Sequence, residues 1–169
     1  PQEMLSKGFK EFINVYDSIK VTDYVFKNNG NLQFENVSET WGFKEPGYSN
    51  GAAIGDLDND GDLDLVVNRI DDEAFLYENS SASRNNFLKL KLQGPSGNAD
   101  GIGAKVTLYH EGAIQYFENK TVRGYLSSNE PLVHFGLGKI QRVDSMLVRW
   151  PDGKASKARN IAANQLVAV

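Results

Sequence analysis

The hydrophobic positions change period once along the chain. In "EMLSKGFKEFINVYDSIKV" the apolar residues Leu5, Phe9, Phe12, Ile13, Tyr16 and Ile19 recur at spacings of three and four. That spacing puts them on one face of an amphipathic helix and predicts a helical segment over 1–22. From Asp23 onward the apolar runs become short and are separated by turn residues. "YVFKNNGNLQFENV" sets two such runs around Asn-Asn-Gly-Asn, residues that tolerate positive φ, and predicts a β-hairpin. After the glycine-rich connection "SETWGFKEPGYSNGAAIG", the runs "LDLVVN" and "AFLYEN" predict two further strands. "FLKLKLQG" alternates cleanly: Leu88, Leu90 and Leu92 point one way, Lys89 and Lys91 the other. This is a strand with one buried and one wet face. "AKVTLYH", "AIQYFENKTVRGYL", "PLVHFGL", "VDSMLVRW" and "NQLVAV" follow at short intervals, divided by "GPSGNADGIG", "SSNEP", "GLGK" and "PDGK".

"SSASRNN", residues 80–86, is small, polar and without periodicity, which marks a junction between modules. The chain therefore divides into a helical segment over 1–22, a β unit over 23–82 and a second β domain over 87–169. The evenly spaced strands of the last part predict an antiparallel β-sandwich or barrel. The fold class is mainly β. A length of 169 residues allows a substantial core. The net charge of −4 argues against a nucleic-acid partner, which would need clustered cations. The absence of cysteine removes disulfides, thiolate zinc sites and cysteine nucleophiles together. No apolar run is long enough to predict membrane insertion. The chain begins at Pro1 with no signal-peptide pattern and reads as a piece of a longer protein.

"GDLDNDGDLDLVV" changes this picture. Asp56, Asp58, Asp60, Asp62 and Asp64 occupy alternate positions immediately before an apolar run. Carboxylates about 5 Å apart repel by roughly 1 kcal/mol in water and about 3 kcal/mol at an effective dielectric near 20. Either the loop is open and solvated or a cation sits at its centre. Alternate side chains of a curled loop converge, and Gly61 permits the bend. Oxygen donors in this number select Ca²⁺ over Mg²⁺, which demands stricter geometry. An EF-hand is excluded, because its twelfth position is Val67 and the flanks read as strands. The predicted ligands are the side chains of Asp56, Asp58, Asp60 and Asp64 with the backbone carbonyl of Asp62. The Asp62 side chain would point outward, and Leu57 and Leu63 would anchor the loop in the core. Carboxylates saturate this set, so the metal is expected to be structural.

Other candidates are weaker. Arg123, Tyr125, Ser127 and Ser128 in "RGYLSS" place a charge, an aromatic ring and two hydroxyls around a turn, a first place to look for a bound glycan or peptide. Trp150 precedes the turn "PDGK" and reads as core or as a sugar-stacking platform. His110 and His134 fall in different predicted strands and read as strand residues. No phosphate-binding fingerprint and no G-x-S-x-G elbow is present.

"GAAIGDLDNDGDLDLVVN", preceded by "NNGNLQFENVSETWG", resembles an FG-GAP/VCBS-type repeat, the unit of integrin-like β-propellers. The resemblance implies a propeller-blade-like β unit with a Ca²⁺ loop. "GIGAKVTLY", "RGYLSS", "HFGLGK", "VRWPDGK" and "NQLVAV" resemble, in order, the ASPIC/UnbV domain. Together these imply a calcium-binding, non-enzymatic binding or adhesion module of a larger secreted or surface-attached bacterial protein. Its partner would be an extracellular protein or polysaccharide. The alternatives are a polysaccharide-processing enzyme or its accessory carbohydrate-binding domain, and a purely structural spacer. Sequence for one blade cannot close a propeller, so exposed strand edges would invite dimerisation.

Overall fold

The computed structural model describes residues 19–169. The helix expected over 1–22 lies outside the described residues but for its end, where the β-branched pair Val21–Thr22 forms a strand, β1. The chain divides into two compact units, one of residues up to Ser49 with Arg69–Asp72, the other of Asn50–Asn68 with Glu73–Val169.

In the first unit β2 (Phe26–Asn28) and β3 (Phe34–Asn36) pair antiparallel, as the pattern predicts. Gly30, Asn31 and Leu32 all take positive φ at the turn between them. Ser38 is buried and fully used: its hydroxyl accepts from Val25 N–H at 2.7 Å and donates to Asn36 Oδ1 at 2.7 Å. Strand β4 (Pro46–Gly47) pairs with β1.

Strands β5 (Ser49–Gly55), β6 (Asp64–Arg69) and β7 (Phe75–Tyr77) form a three-stranded sheet in chain order. The acidic stretch is the β5–β6 connection.

The remaining strands are β8 (Asn86–Lys91), β9 (Lys105–His110), β10 (Ala113–Glu118), β11 (Val122–Gly124), β12 (Ser127–Ser128), β13 (Leu132–Gly138), β14 (Arg142–Arg149), β15 (Ala155–Ala162) and β16 (Gln165–Ala168). They build one sheet of order β10-β9-β14-β15 and another of order β13-β8-β16, neither closing into a barrel, with β11-β12 as a separate ribbon. One core joins the two larger sheets. Leu88, Leu90 and Leu92 enter it from one sheet, Val106, Leu108, Met146 and Val148 from the other, all almost wholly buried. Each buried leucine contributes about 2 kcal/mol by removing its surface from water.

Strand β16 departs from the antiparallel expectation and runs parallel to β8. The chain leaves β15 in one sheet and crosses to the other at Ala163–Asn164. Asn164, at φ +60, is tied to β8: its N–H donates to Phe87 O at 2.7 Å and its Oδ1 accepts from Phe87 N–H at 3.1 Å. A strand that starts beside the beginning of β8 then runs in the same direction.

Candidate metal centre

The acidic connection is curled by its own carboxylates. Asp58 Oδ1 accepts from Asp60 N–H at 3.1 Å and Asp60 Oδ1 from Asp62 N–H at 3.0 Å. Asp56 Oδ2 accepts from Gly61 N–H at 3.1 Å, and Asp64 Oδ2 reaches back to Leu57 N–H at 2.9 Å. Asn59 and Gly61 take positive φ, the conformation such a curl requires. The result brings one oxygen each of Asp56, Asp58 and Asp64 within 4.8 Å of one another. Two carboxylates at that distance repel by roughly 3.5 kcal/mol at an effective dielectric near 20.

Part of that repulsion is met from β8. The Lys89 ammonium pairs with Asp56, whose side chain is 2% exposed, and is itself 12% exposed. Burial is the main cause holding the Lys89 pKa below its ordinary value, opposed by the charge of Glu130. Two oxygens of the loop, Asp56 Oδ1 and Asp62 Oδ1, remain buried with no hydrogen-bond partner. A buried carboxylate oxygen without a donor is costly. A hard cation held by oxygen ligands meets that need, and both oxygens of Asp64 keep a lone pair for it after their N–H bonds. The donor set therefore fits Ca²⁺.

Three expectations about the loop are corrected. The Asp62 side chain does not point outward: it is buried, accepting from Ala82 N–H at 2.7 Å and Ser81 Oγ at 3.2 Å. Leu57 is half-exposed and does not anchor the loop in the core, while Leu63 is partly buried. Lys89 is not on a wet face, because the acidic loop covers that side of β8. The physical reason for the buried Asp62 lies in the chain beyond β7. Residues 79–82 fold back on the loop as a clamp, with Asn79 N–H donating to Asp64 Oδ1 at 2.9 Å and Asn79 Nδ2 to Leu63 O at 3.2 Å. Asp60 is exposed and stands outside the three-carboxylate group.

His134, on β13, completes the seat. A carbonyl can only accept, so His134 Nε2–H donates to Gly61 O, at 2.8 Å. Its ring stacks on Phe87 at 6.0 Å with a 12° tilt, and Gly61 lies against the Phe87 ring. Burial is the main cause lowering the His134 pKa from its ordinary 6.5, and Lys89 adds to it; the bond to Gly61 and the charge of Asp62 oppose it. A depressed histidine pKa means the unfolded chain binds the proton better. The His134 contribution to stability is therefore whole above pH 6.5 and is lost as pH falls through the window below it. Denaturation midpoints from pH 7.5 down to about 5 should fall more steeply for the wild type than for His134→Gln. Parallel curves would remove His134 as the cause. Neither Lys89 nor His134 carried a sequence signal for this role; each looked like an ordinary strand residue.

Of the remaining candidates, Arg123, Tyr125, Ser127 and Ser128 share the β11–β12 ribbon, and Trp150 follows β14. Arg123 lies on β11 with its guanidinium 5.0 Å from the Phe117 ring centre. Tyr125 is exposed at the ribbon tip. Ser127 is committed to structure: its hydroxyl accepts from Ala52 N–H at 3.0 Å and donates to Tyr125 O at 2.7 Å. With Asn129 Oδ1, which accepts from Ile54 N–H at 3.0 Å, it satisfies the outer edge of β5. Trp150 donates from Nε1 to Ser156 Oγ at 3.0 Å and lines a cleft of about 500 Å³. Arg123 lines a different cavity of about 260 Å³, and Ser127 and Ser128 a third.

Comparison with known proteins accounts for both parts. Residues 8–67 match an FG-GAP-like repeat and residues 94–169 match ASPIC and UnbV. The chain joins an FG-GAP-like repeat to an ASPIC/UnbV domain. The acidic loop falls inside the repeat, whereas β8, with Lys89, lies between the two matched segments. Cartilage acidic protein 1 of Homo sapiens is 32% identical over 149 residues, covering 85% of this chain and 22% of that protein. The Xenopus tropicalis protein of the same name is 35% identical over 129 residues, covering 73% of this chain and 19% of its own length. The Mus musculus protein is 30% identical over 149 residues, 85% of this chain and 22% of that protein. The FG-GAP–ASPIC/UnbV chain thus spans about a fifth of the length of these relatives. No helix among the described residues is long and apolar enough to cross a membrane.

Proposed function

We propose that this chain is a non-enzymatic binding module of a larger extracellular protein, with its acidic loop braced by a structural Ca²⁺. One observation carries the metal: Asp56, which keeps a buried, unpartnered oxygen, brings a carboxylate oxygen together with those of Asp58 and Asp64. Asp56, Asp58 and Asp64 would hold the ion, with Asp60 and the Asp62 carbonyl available at the exposed side. The ion would neutralise the loop so that β5 and β6 can pair and the loop can sit on Lys89 and His134. A non-catalytic role is supported by how the two histidines are used. His134 is bonded to a backbone carbonyl and His110 to Gln115, so neither is set to activate a nucleophile. An extracellular setting is supported by the relatives, whose name places them in cartilage.

The test is calorimetric titration with Ca²⁺ after chelation, beside thermal denaturation. One site is expected, with about 2.7 kcal/mol of added stability at a hundredfold excess over the dissociation constant. Asp58→Asn, at an exposed position of the cluster, should weaken binding while the apo protein stays folded. Absence of both heat and stabilisation would sink the proposal.

A further inference from the structure

The outer face of the β10-β9-β14-β15 sheet has a composition that the calcium loop does not explain. Cross-strand partners share a face, so the registers define three rows across it. They are Glu118–Lys105–Arg149–Ala155, Tyr116–Thr107–Leu147–Lys157 and Ile114–Tyr109–Ser145–Arg159. The opposite face carries Val106, Leu108, Met146 and Val148 into the core. The outer face is divided along a diagonal. One corner holds Tyr109, Ile114 and Tyr116, which are 38%, 65% and 57% exposed. The other holds Lys105, Arg149, Lys157 and Arg159, all exposed. Among the described residues none of these four cations is in an ion pair, and the single carboxylate of the grid, Glu118, stands 3.4 Å from Lys120. Lys105 and Arg149 are direct cross-strand neighbours, a like-charge placement that costs stability.

Four unpaired cations on one face of a chain with net charge −4 are a segregated charge, complementary to a polyanion. The size of the face selects the kind. Three strand spacings and four residues of rise give roughly 14 by 13 Å. That is far below the ~800 Å² a stable protein partner covers. It suits a few sugar rings of a linear chain. Tyrosine rings take the apolar face of a pyranose, while guanidinium and ammonium groups take its carboxylate or sulfate. We infer that the outer face of this sheet binds an acidic polysaccharide, with Tyr109 and Tyr116 as the stacking platform and Lys105, Arg149, Lys157 and Arg159 as the anion-pairing band. The inference takes the binding-module function proposed above and names its partner class, but it does not depend on the metal.

The experiment is surface plasmon resonance of the whole chain over immobilised heparin, with neutral dextran and poly-glutamate as comparison surfaces. Binding to heparin that weakens with salt is expected, with none to dextran. The double variant Lys157→Ser/Arg159→Ser should weaken it roughly thirtyfold, and Tyr116→Ser should weaken it at unchanged ionic strength dependence. All three substitutions are on an exposed face, so unchanged melting temperatures confirm that the fold is intact. Asp58→Asn should keep heparin binding even where it loses Ca²⁺, which separates failure here from failure of the calcium brace. No binding to heparin, or binding that the variants leave unchanged, overturns the proposal. Equal affinity for poly-glutamate also overturns it and reassigns the face to an acidic protein segment.

Discussion

Gly61→Ala is expected to lower stability by roughly 3 to 5 kcal/mol, with a drop in melting temperature on the order of 10 °C. Two costs add. Gly61 sits at φ +103, where a Cβ clashes with its own backbone. That Cβ would also fall within the Phe87 ring. The ring cannot swing aside without leaving its stack on His134, and His134 is bonded to the Gly61 carbonyl. The loop, Phe87 and His134 therefore move together or not at all. A double-mutant cycle with Phe87→Ala separates the two costs. The pair should be more stable than the sum of the single losses, leaving the φ penalty of about 1–2 kcal/mol. Strict additivity would show that the ring is not what Gly61 avoids.

Lys89→Met is expected to cost a similar amount, about 3 to 5 kcal/mol, when Ca²⁺ is chelated. Its ammonium is the one cation among the described residues paired with the acidic loop, and both side chains are largely shielded from water. Removing it strands the Asp56 carboxylate beside Asp58 and Asp64. Saturating Ca²⁺ should restore most of the loss, because the ion supplies the missing positive charge. The same substitution removes a repulsion felt by the ion, so the dissociation constant for Ca²⁺ should tighten about tenfold. Urea denaturation in chelator and in Ca²⁺ reads both effects. An equal loss in the two conditions would uncouple Lys89 from the cation site.

These two residues mark where sequence reading stopped. Gly61 was legible as a bend within a carboxylate-rich loop, because the need for positive φ belongs to the residue itself. That the same glycine must also admit a phenylalanine ring was not legible, since Phe87 lies beyond a turn-rich segment with no periodicity. Alternation places Lys89 on a wet face because it reports only that two faces differ. It cannot say whether water or a folded-back loop lies on the polar one. The same local logic turns Asp62 outward, whereas its donors come from Ser81 and Ala82, and Asn79 supplies one of the two donors to Asp64.

The hairpin at Asn28–Gln33, the buried parity of Leu88, Leu90 and Leu92, the β-rich class and the convergence of Asp56, Asp58 and Asp64 all followed from the chain itself. Each depends on residues a few positions apart, through turn chemistry or a period of two. The parallel direction of β16, the seating of the acidic loop on Lys89 and His134, and the use of Ser127 to close the edge of β5 were decided only by the assembled fold. Those pairings join residues tens of positions apart. Which of many polar surfaces meet is set by how the sheets pack around the common core, and no local pattern encodes that choice.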